Sequence, residues 1–338
     1  MSVKISLDSS LCVRYASKFS GCDSCQKACP IEVIDINESR VDIDVFSCIG
    51  CGVCAGACPT EAIRVSETEI YEKVFELISS KESVIGCRYN FFCLAAINGE
   101  YLATMALVND IVLDVGFCKE CEIKEECYDR ILNNVSEADY ILQALGVNAK
   151  IELKDLKKVS DISKERRELF SSFAFGKYAD KEAQNGSFKR EKIPPKRRRL
   201  FLAVLKQLGI EGSSKLLESK YLGFFSDKSI DDSCDNCSVC YRVCPTDALS
   251  FGSTGEILFD AAFCVRCALC HDVCEKESVK MEEFFDFESV TAKEPKVLKR
   301  FKMAICDECS NPFASISGER VCRRCRIEEE EAKTLWGL

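Results

Sequence analysis

One spacing of cysteines, written four times, constrains this chain more than any other feature. Cys48, Cys51, Cys54 and Cys58 form C-x2-C-x2-C-x3-C followed by Pro59, and Cys234, Cys237, Cys240 and Cys244 followed by Pro245 repeat it. Cys264, Cys267, Cys270 and Cys274 make a third copy. The remaining copy is altered. Cys22, Cys25 and Cys29 with Pro30 keep its last three positions, Phe19 stands at the first, and Cys12 lies upstream, where a longer loop can supply the missing thiolate. Behind each last cysteine the same short pattern returns: Glu32 to Ile36, Glu61 to Val65, Asp247 to Phe251 and Glu277 to Met281. An acidic residue followed by alternating apolar positions reads as a short hairpin strand. Internal repetition strengthens the reading of each copy.

The chain holds 25 cysteines in 338 residues, enough length for two or three compact units with connections. Met1 to Leu11 lacks the basic, apolar, small-residue order of a secretory signal, so a reducing cytoplasm is the expected compartment. There, repeated Cys-x-x-Cys spacing argues for metal rather than for a disulfide framework. No run of about 18 to 20 uncharged apolar residues is present, so no membrane span is expected. A single histidine, His271, leaves any metal chemistry to thiolate and excludes Rieske-type and His-rich catalytic centres.

The repeated run is that of bacterial ferredoxins. A cube of iron and sulfide needs four thiolates converging on one small volume. A tight loop with two-residue gaps turns three of them inward, and a fourth follows near the start of a short helix. Residues 5–66 and 226–285 each resemble a two-cluster bacterial ferredoxin, and together they cover roughly a third of the chain. The resemblance implies four [4Fe-4S] clusters with crossed ligation. Cys12, Cys22, Cys25 and Cys58 would hold one, and Cys48, Cys51, Cys54 and Cys29 its neighbour. Cys234, Cys237, Cys240 and Cys274 would hold a third, and Cys264, Cys267, Cys270 and Cys244 the fourth. The displaced Cys12 makes a labile, three-thiolate cube the alternative at the first site. Glu275 replaces the usual proline after Cys274, and its charge is expected to disfavour an added electron nearby. Zinc-bound or degenerate repeats are the competing reading of all sixteen cysteines.

Between the two modules, residues 67–155 alternate helix and strand and suggest a small α/β unit. Ile70, Val74, Leu77 and Ile78 mark a helical face; Ser83 to Gly86, Ile111 to Val115 and Ala149 to Leu153 read as strands. Phe91 to Leu107 and Lys124 to Leu145, the latter stopped by Gly146, read as helices. Cys87, Cys118 and Cys121 then fall beyond strand carboxyl ends, with Cys93 and Cys127 near the starts of helices, where ligands gather in open α/β sheets. Four of these five could form a fifth metal or iron-sulfur site; the alternative is buried apolar side chains or free thiols.

Residues 156–225 read as a helical linker, with helices over Glu165 to Phe173 and Arg197 to Leu208 and an interruption from Asp180 to Pro195. Lys189, Arg190, Lys192, Lys196, Arg197, Arg198 and Arg199 form a basic stretch around Pro194 and Pro195. A solvated linker and helix start is the expected role, with a docking surface for an acidic redox partner or an RNA contact as alternatives. At residues 300–338, Cys306, Cys309, Cys322 and Cys325 make two Cys-x2-Cys pairs that resemble a zinc ribbon binding one Zn2+. A rubredoxin-like iron is the competitor, and Arg323, Arg324 and Arg326 favour a surface zinc. The tail from Glu328 to Glu331 with Lys333 extends as a helix.

The expected class is therefore α+β and multidomain, and the expected function is electron transfer as a polyferredoxin, working with a redox enzyme such as a dehydrogenase or hydrogenase. An accessory role in maturing a metal-dependent redox enzyme is the alternative. Redox-sensitive nucleic-acid binding is disfavoured by the net charge of −9. No Rossmann glycine fingerprint, nucleophile elbow or phosphate loop points to an enzyme active site.

Overall fold

The computed structural model describes residues 5–38, 40–65, 69–156, 193–210, 215–316 and 318–337. The expected helix over Glu165 to Phe173 and the basic residues Lys189, Arg190 and Lys192 lie outside the described residues.

Strand β1 (Ile5–Leu7) leads into one-turn helices α1 (Val13–Ala16) and α2 (Ser24–Ala28) and a hairpin of β2 (Ile34–Asn37) and β3 (Arg40–Ile43). Helix α3 (Val53–Ala57) and strand β4 (Ile63–Val65) follow. β1 and β4 pair antiparallel with Ile5 opposite Val65, so the first strand of the unit is tied to the last. Alternation explains the strands: Ile34, Val41, Ile63 and Val65 are buried while Asp35, Asp42 and Arg64 face water. Helices of one turn are not stable alone, so packing must hold them.

The middle of the chain begins with α4 (Ile70–Ser80), whose capping box between Glu69 and Glu72 fixes its start. Strands β5 (Val84–Ile85), β6 (Ile111–Asp114) and β7 (Ile151–Lys154) form a parallel sheet in that order. Helices α5 (Gly99–Val108) and α6 (Lys124–Ala144) cross between them. The expected helix from Phe91 to Leu107 is interrupted. A 3-10 turn over Leu94–Ala96 ends at Ile97, and Asn98 restarts the chain by accepting the Tyr101 N–H at 3.0 Å. Asn98 also donates to the Gly56 carbonyl at 3.0 Å, so a contact with α3 fixes the break. α6 ends before Gly146, at φ +68, as the sequence requires.

Helix α7 (Lys196–Leu208) and strand β8 (Leu216–Glu218) precede the second half. There β9 (Lys228–Ile230), helix α8 (Val239–Val243), β10 (Leu249–Phe251), β11 (Glu256–Phe259), helix α9 (Leu269–Asp272) and β12 (Val279–Met281) repeat the first plan. β9 pairs with β12 as β1 does with β4, and β10 with β11 as β2 does with β3. Strand β13 (Phe284–Asp286) pairs with β8, and β14 (Lys296–Arg300) adds to β11. A hairpin of β15 (Lys302–Ile305) and β16 (Pro312–Ser315) and helix α10 (Arg323–Trp336) complete the described chain. Each of the four acidic strand openers is left-handed: Glu32 at φ +52, Glu61 at +54, Asp247 at +61 and Glu277 at +49.

One contiguous core runs from Ile5 through the central sheet to Phe301. α7 lies in it and is not a solvated linker. Its Phe201 joins Phe225, Phe285 and Phe287 in an aromatic cluster with ring centroids 5.3 to 6.1 Å apart. The basic stretch is likewise no surface at its centre, because Arg197 and Arg198 are both 0% exposed. Their two charges face Glu100, also 0% exposed, on the buried helix α5, and Glu61 lies 3.7 Å from Arg197.

Candidate metal centres

The three unaltered repeats share a backbone device. Gly50 and Gly52, Asn236 and Ser238, and Arg266 and Ala268 flank the middle cysteine of each run, and all six have positive φ, from +51 to +80. Left-handed residues on both sides of a cysteine turn the loop back on itself and aim successive side chains and N–H groups to one side. The altered copy lacks them, since Gly21 is not left-handed and Asp23 sits at φ −132. Arg14 compensates there. Its Nε donates to the Cys22 carbonyl and its guanidinium to the Glu38 carbonyl at 2.8 Å, which ties the loop to α1 just beyond Cys12.

The cysteines gather in fours drawn from two runs each. Cys29 lines one cavity with Cys48, Cys51 and Cys54. Cys274 lines another with Cys234, Cys237 and Cys240, and Cys244 a third with Cys264, Cys267 and Cys270. Burial pushes the Cys25 thiol up to about 12, reinforced by Cys58, Cys22 and Cys12 beside it, so these four stand together as well. Phe19, at the first position of that run, is exposed. Burial also raises Cys240 and Cys270 to about 12 and Cys51 to about 11. Thiols held so far from ionisation are poor nucleophiles, and a bound cation is what would make them thiolates.

Partners around the sulfurs suit thiolate ligands. The Ala62 N–H donates to Cys58 Sγ and the Ser278 N–H to Cys274 Sγ, each at 3.2 Å. The hydroxyls of Thr60 and Thr246, two residues past Cys58 and Cys244, lie 3.7 and 3.8 Å from those sulfurs. Both hydroxyls belong to Cys-Pro-Thr triplets, a signal present in the sequence beside the cysteines and prolines of those runs. Glu275, an exposed residue, lines the same cavity as Cys234 and Cys274.

The two halves meet at their cysteines. Cys22 and Cys267 pack on a single apolar patch of Val13, Leu269 and Val273, and the Gly21 N–H donates to Asp272 Oδ2 at 2.8 Å. Nearby, Glu100 takes Arg197 Nε at 2.8 Å and Arg198 Nε at 2.5 Å. Arg197 reaches the Pro59 carbonyl at 3.0 Å, and Arg198 reaches the Cys264 and Phe224 carbonyls at 2.8 Å each. This clamp joins the backbone behind Cys58 to that of Cys264. Sequence reasoning missed it because nothing local links Glu100 to residues about a hundred positions away.

Cys306, Cys309, Cys322 and Cys325 form a more compact set. Their sulfurs lie within 4.8 Å of one another, with Cys306 to Cys325 at 3.9 Å and Cys309 to Cys322 at 3.8 Å. A tetrahedral ion with sulfur at about 2.3 Å sets its ligands about 3.8 Å apart, so this set can hold a single metal. The first pair follows β15 in its hairpin turn, and the second opens α10. Backbone N–H groups of Cys309 and Cys322 pull the Cys306 thiol down to about 6. Among the described residues it is the one group of thiols, carboxylates or imidazoles this close. The ferredoxin-like sets are wider, as a cage of iron and sulfide between the thiolates requires.

Four of the central cysteines are neighbours: burial raises the Cys118 thiol, and Cys87, Cys93 and Cys121 reinforce the rise. No helix among the described residues is long and apolar enough to cross a membrane.

Comparison with known families agrees with the geometry. Residues 20–62 match the 4Fe-4S dicluster domain, and residues 229–250 match the 4Fe-4S binding domain. No curated protein matches the chain. The first match spans Cys22 to Cys58 and the second Cys234 to Cys244, so the third run, Cys264 to Cys274, rests on its own spacing and structure. The chain thus carries two ferredoxin-type 4Fe-4S domains within a mixed helix and strand architecture.

Proposed function

We propose that this protein is a polyferredoxin, relaying single electrons through four [4Fe-4S] clusters between redox partner proteins. The ligand sets are Cys12, Cys22, Cys25 and Cys58; Cys29, Cys48, Cys51 and Cys54; Cys244, Cys264, Cys267 and Cys270; and Cys234, Cys237, Cys240 and Cys274. Each cluster, when bound, takes up and gives up one electron. The observation that supports this reading best is the junction at which Cys22 and Cys267 share one apolar patch, because it sets a thiol of one half beside the other half. The chain's own part is to present thiolates, to offer them N–H and hydroxyl partners, and to exclude water by burial. The Arg197–Glu100–Arg198 clamp fixes the two halves at the junction, where electron transfer is most sensitive to separation.

A dehydrogenase or hydrogenase is the kind of partner this length of relay suits. The burial of Arg197 and Arg198 removes the centre of the basic surface on which an RNA or acidic-partner contact would rest. The knuckle of Cys306, Cys309, Cys322 and Cys325 is read as a structural zinc ribbon. Stepwise reductive titration of anaerobically purified protein, followed by electron paramagnetic resonance, tests the relay. Reversible reduction of every cluster, with reoxidation by a co-purifying redox enzyme within its turnover time, is the expected result. Reduced protein that no redox enzyme reoxidises would overturn it.

A further inference from the structure

The central α/β unit brings together cysteines that the four-cluster relay does not use. β5 and β6 run parallel with Ile85 beside Leu113, so the chain leaves both strands at one edge of the sheet. Cys87 stands two residues beyond β5 and Cys118 four residues beyond β6. A 3-10 turn over Cys118–Glu120 brings Cys121 back, its N–H donating to the Cys118 carbonyl at 3.3 Å. Cys93 stands just ahead of the Leu94–Ala96 turn, and Asn134 of α6 holds that turn by donating to the carbonyls of Ala95 and Ile97.

This group shares a wall with a site of the relay. The Cys93 N–H donates to the Cys51 carbonyl at 3.1 Å. A Cβ on Gly52 would touch Phe92 and Ala96, and one on Gly56 would lie 2.0 Å from the Ala96 carbonyl oxygen. The loop carrying Cys93 is therefore packed directly on the loop and helix that carry Cys51 and Cys54. Like the relay sets, and unlike the Cys306 knuckle, the central sulfurs are too widely set for one ion. Cys127 is 4% exposed, whereas Cys87 is exposed and Cys118 and Cys121 are half-buried.

We propose that Cys87, Cys93, Cys118 and Cys121 hold a fifth iron-sulfur cluster of the cubane class, next in series to the Cys29, Cys48, Cys51 and Cys54 site. Cys127, buried on α6, is then not a ligand of this cluster. The inference rests on the relay reading, since it extends that relay into the α/β unit and makes this sheet edge, where Cys87 meets solvent, one of its two ends.

The test compares iron and acid-labile sulfide per chain in anaerobically reconstituted wild type, in Cys118→Ser/Cys121→Ser, in Cys87→Ser and in Cys127→Ala, with far-UV circular dichroism as the folding control. At four iron per cubane, wild type and Cys127→Ala should carry about 20 and the serine variants about 16. In the fully reduced protein, the integrated electron paramagnetic resonance signal should be about one spin per chain larger in wild type than in Cys87→Ser, a readout that stands even if the double variant fails to fold. Wild type at about 16 iron, with the serine variants unchanged, would overturn the fifth site and leave the relay intact. Wild type at about four iron, lost in the variants, would overturn the relay and leave the fifth site. Loss of about four iron in Cys127→Ala would overturn the assignment of Cys127.

Discussion

Glu100 is a carboxylate without access to water, and both of its oxygens are committed to guanidinium groups. Burial works against the charge of Arg197, but Glu100 and Glu61 outweigh it and hold its pKa above the ordinary value. Removing the anion alone leaves two buried cations, so Glu100→Gln should cost about 3 to 5 kcal/mol in chemical denaturation. At Cys12 the issue is ligand supply. Cys12→Ser should lower iron by about four per chain, or leave about three iron in an oxidised cube with its own resonance. If all iron is retained and the spectrum is unchanged, the crossed set at that site is wrong. Glu275 lines the cavity of the Cys234 site, and a nearby negative charge disfavours an added electron. Glu275→Gln should therefore raise one reduction potential, and potentiometry showing no change would remove its role.

At the scale of elements, the repeats were legible because their backbone demands are local. The acidic strand opener was read as a pattern; the structure shows a left-handed turn residue at that position in all four copies. The left-handed region costs an L-residue about 1 to 2 kcal/mol, which glycine avoids. Glu32 and Glu277 are exposed, so Glu32→Gly and Glu277→Gly should each raise stability by up to about 1 kcal/mol, measured by denaturation. Gly56 behaves in the opposite sense, since a Cβ there meets backbone. Gly56→Ala should push the Leu94–Ala96 turn off α3 and cost about 1 to 3 kcal/mol, with thermal melting as the check. The same close approach explains why Phe91 to Leu107 is not one helix. Its apolar periodicity continues through Leu94, but Asn98 is drawn to the Gly56 carbonyl and caps a new helix.

On the scale of the whole molecule, the compact knuckle and the wide sets should separate chemically. A strong chelator at neutral pH should strip a single metal from the Cys306 set and unsettle α10 while the iron count stays constant; loss of iron in step with that metal would join what the geometry divides. Spacing alone determined that the cysteines of each run crowd one short loop, because two-residue gaps act within a dozen residues. Spacing likewise placed Cys87, Cys118 and Cys121 at one sheet edge, because parallel strands must end together. Tertiary structure alone decided that Arg197 and Arg198 are buried opposite Glu100, that Cys22 meets Cys267, and that Cys93 hangs from Cys51. Those contacts join residues some 40 to 250 positions apart. A charged helix start reads the same in a linker as in a core until its counter-ion, here on a helix nearly a hundred residues earlier, folds against it.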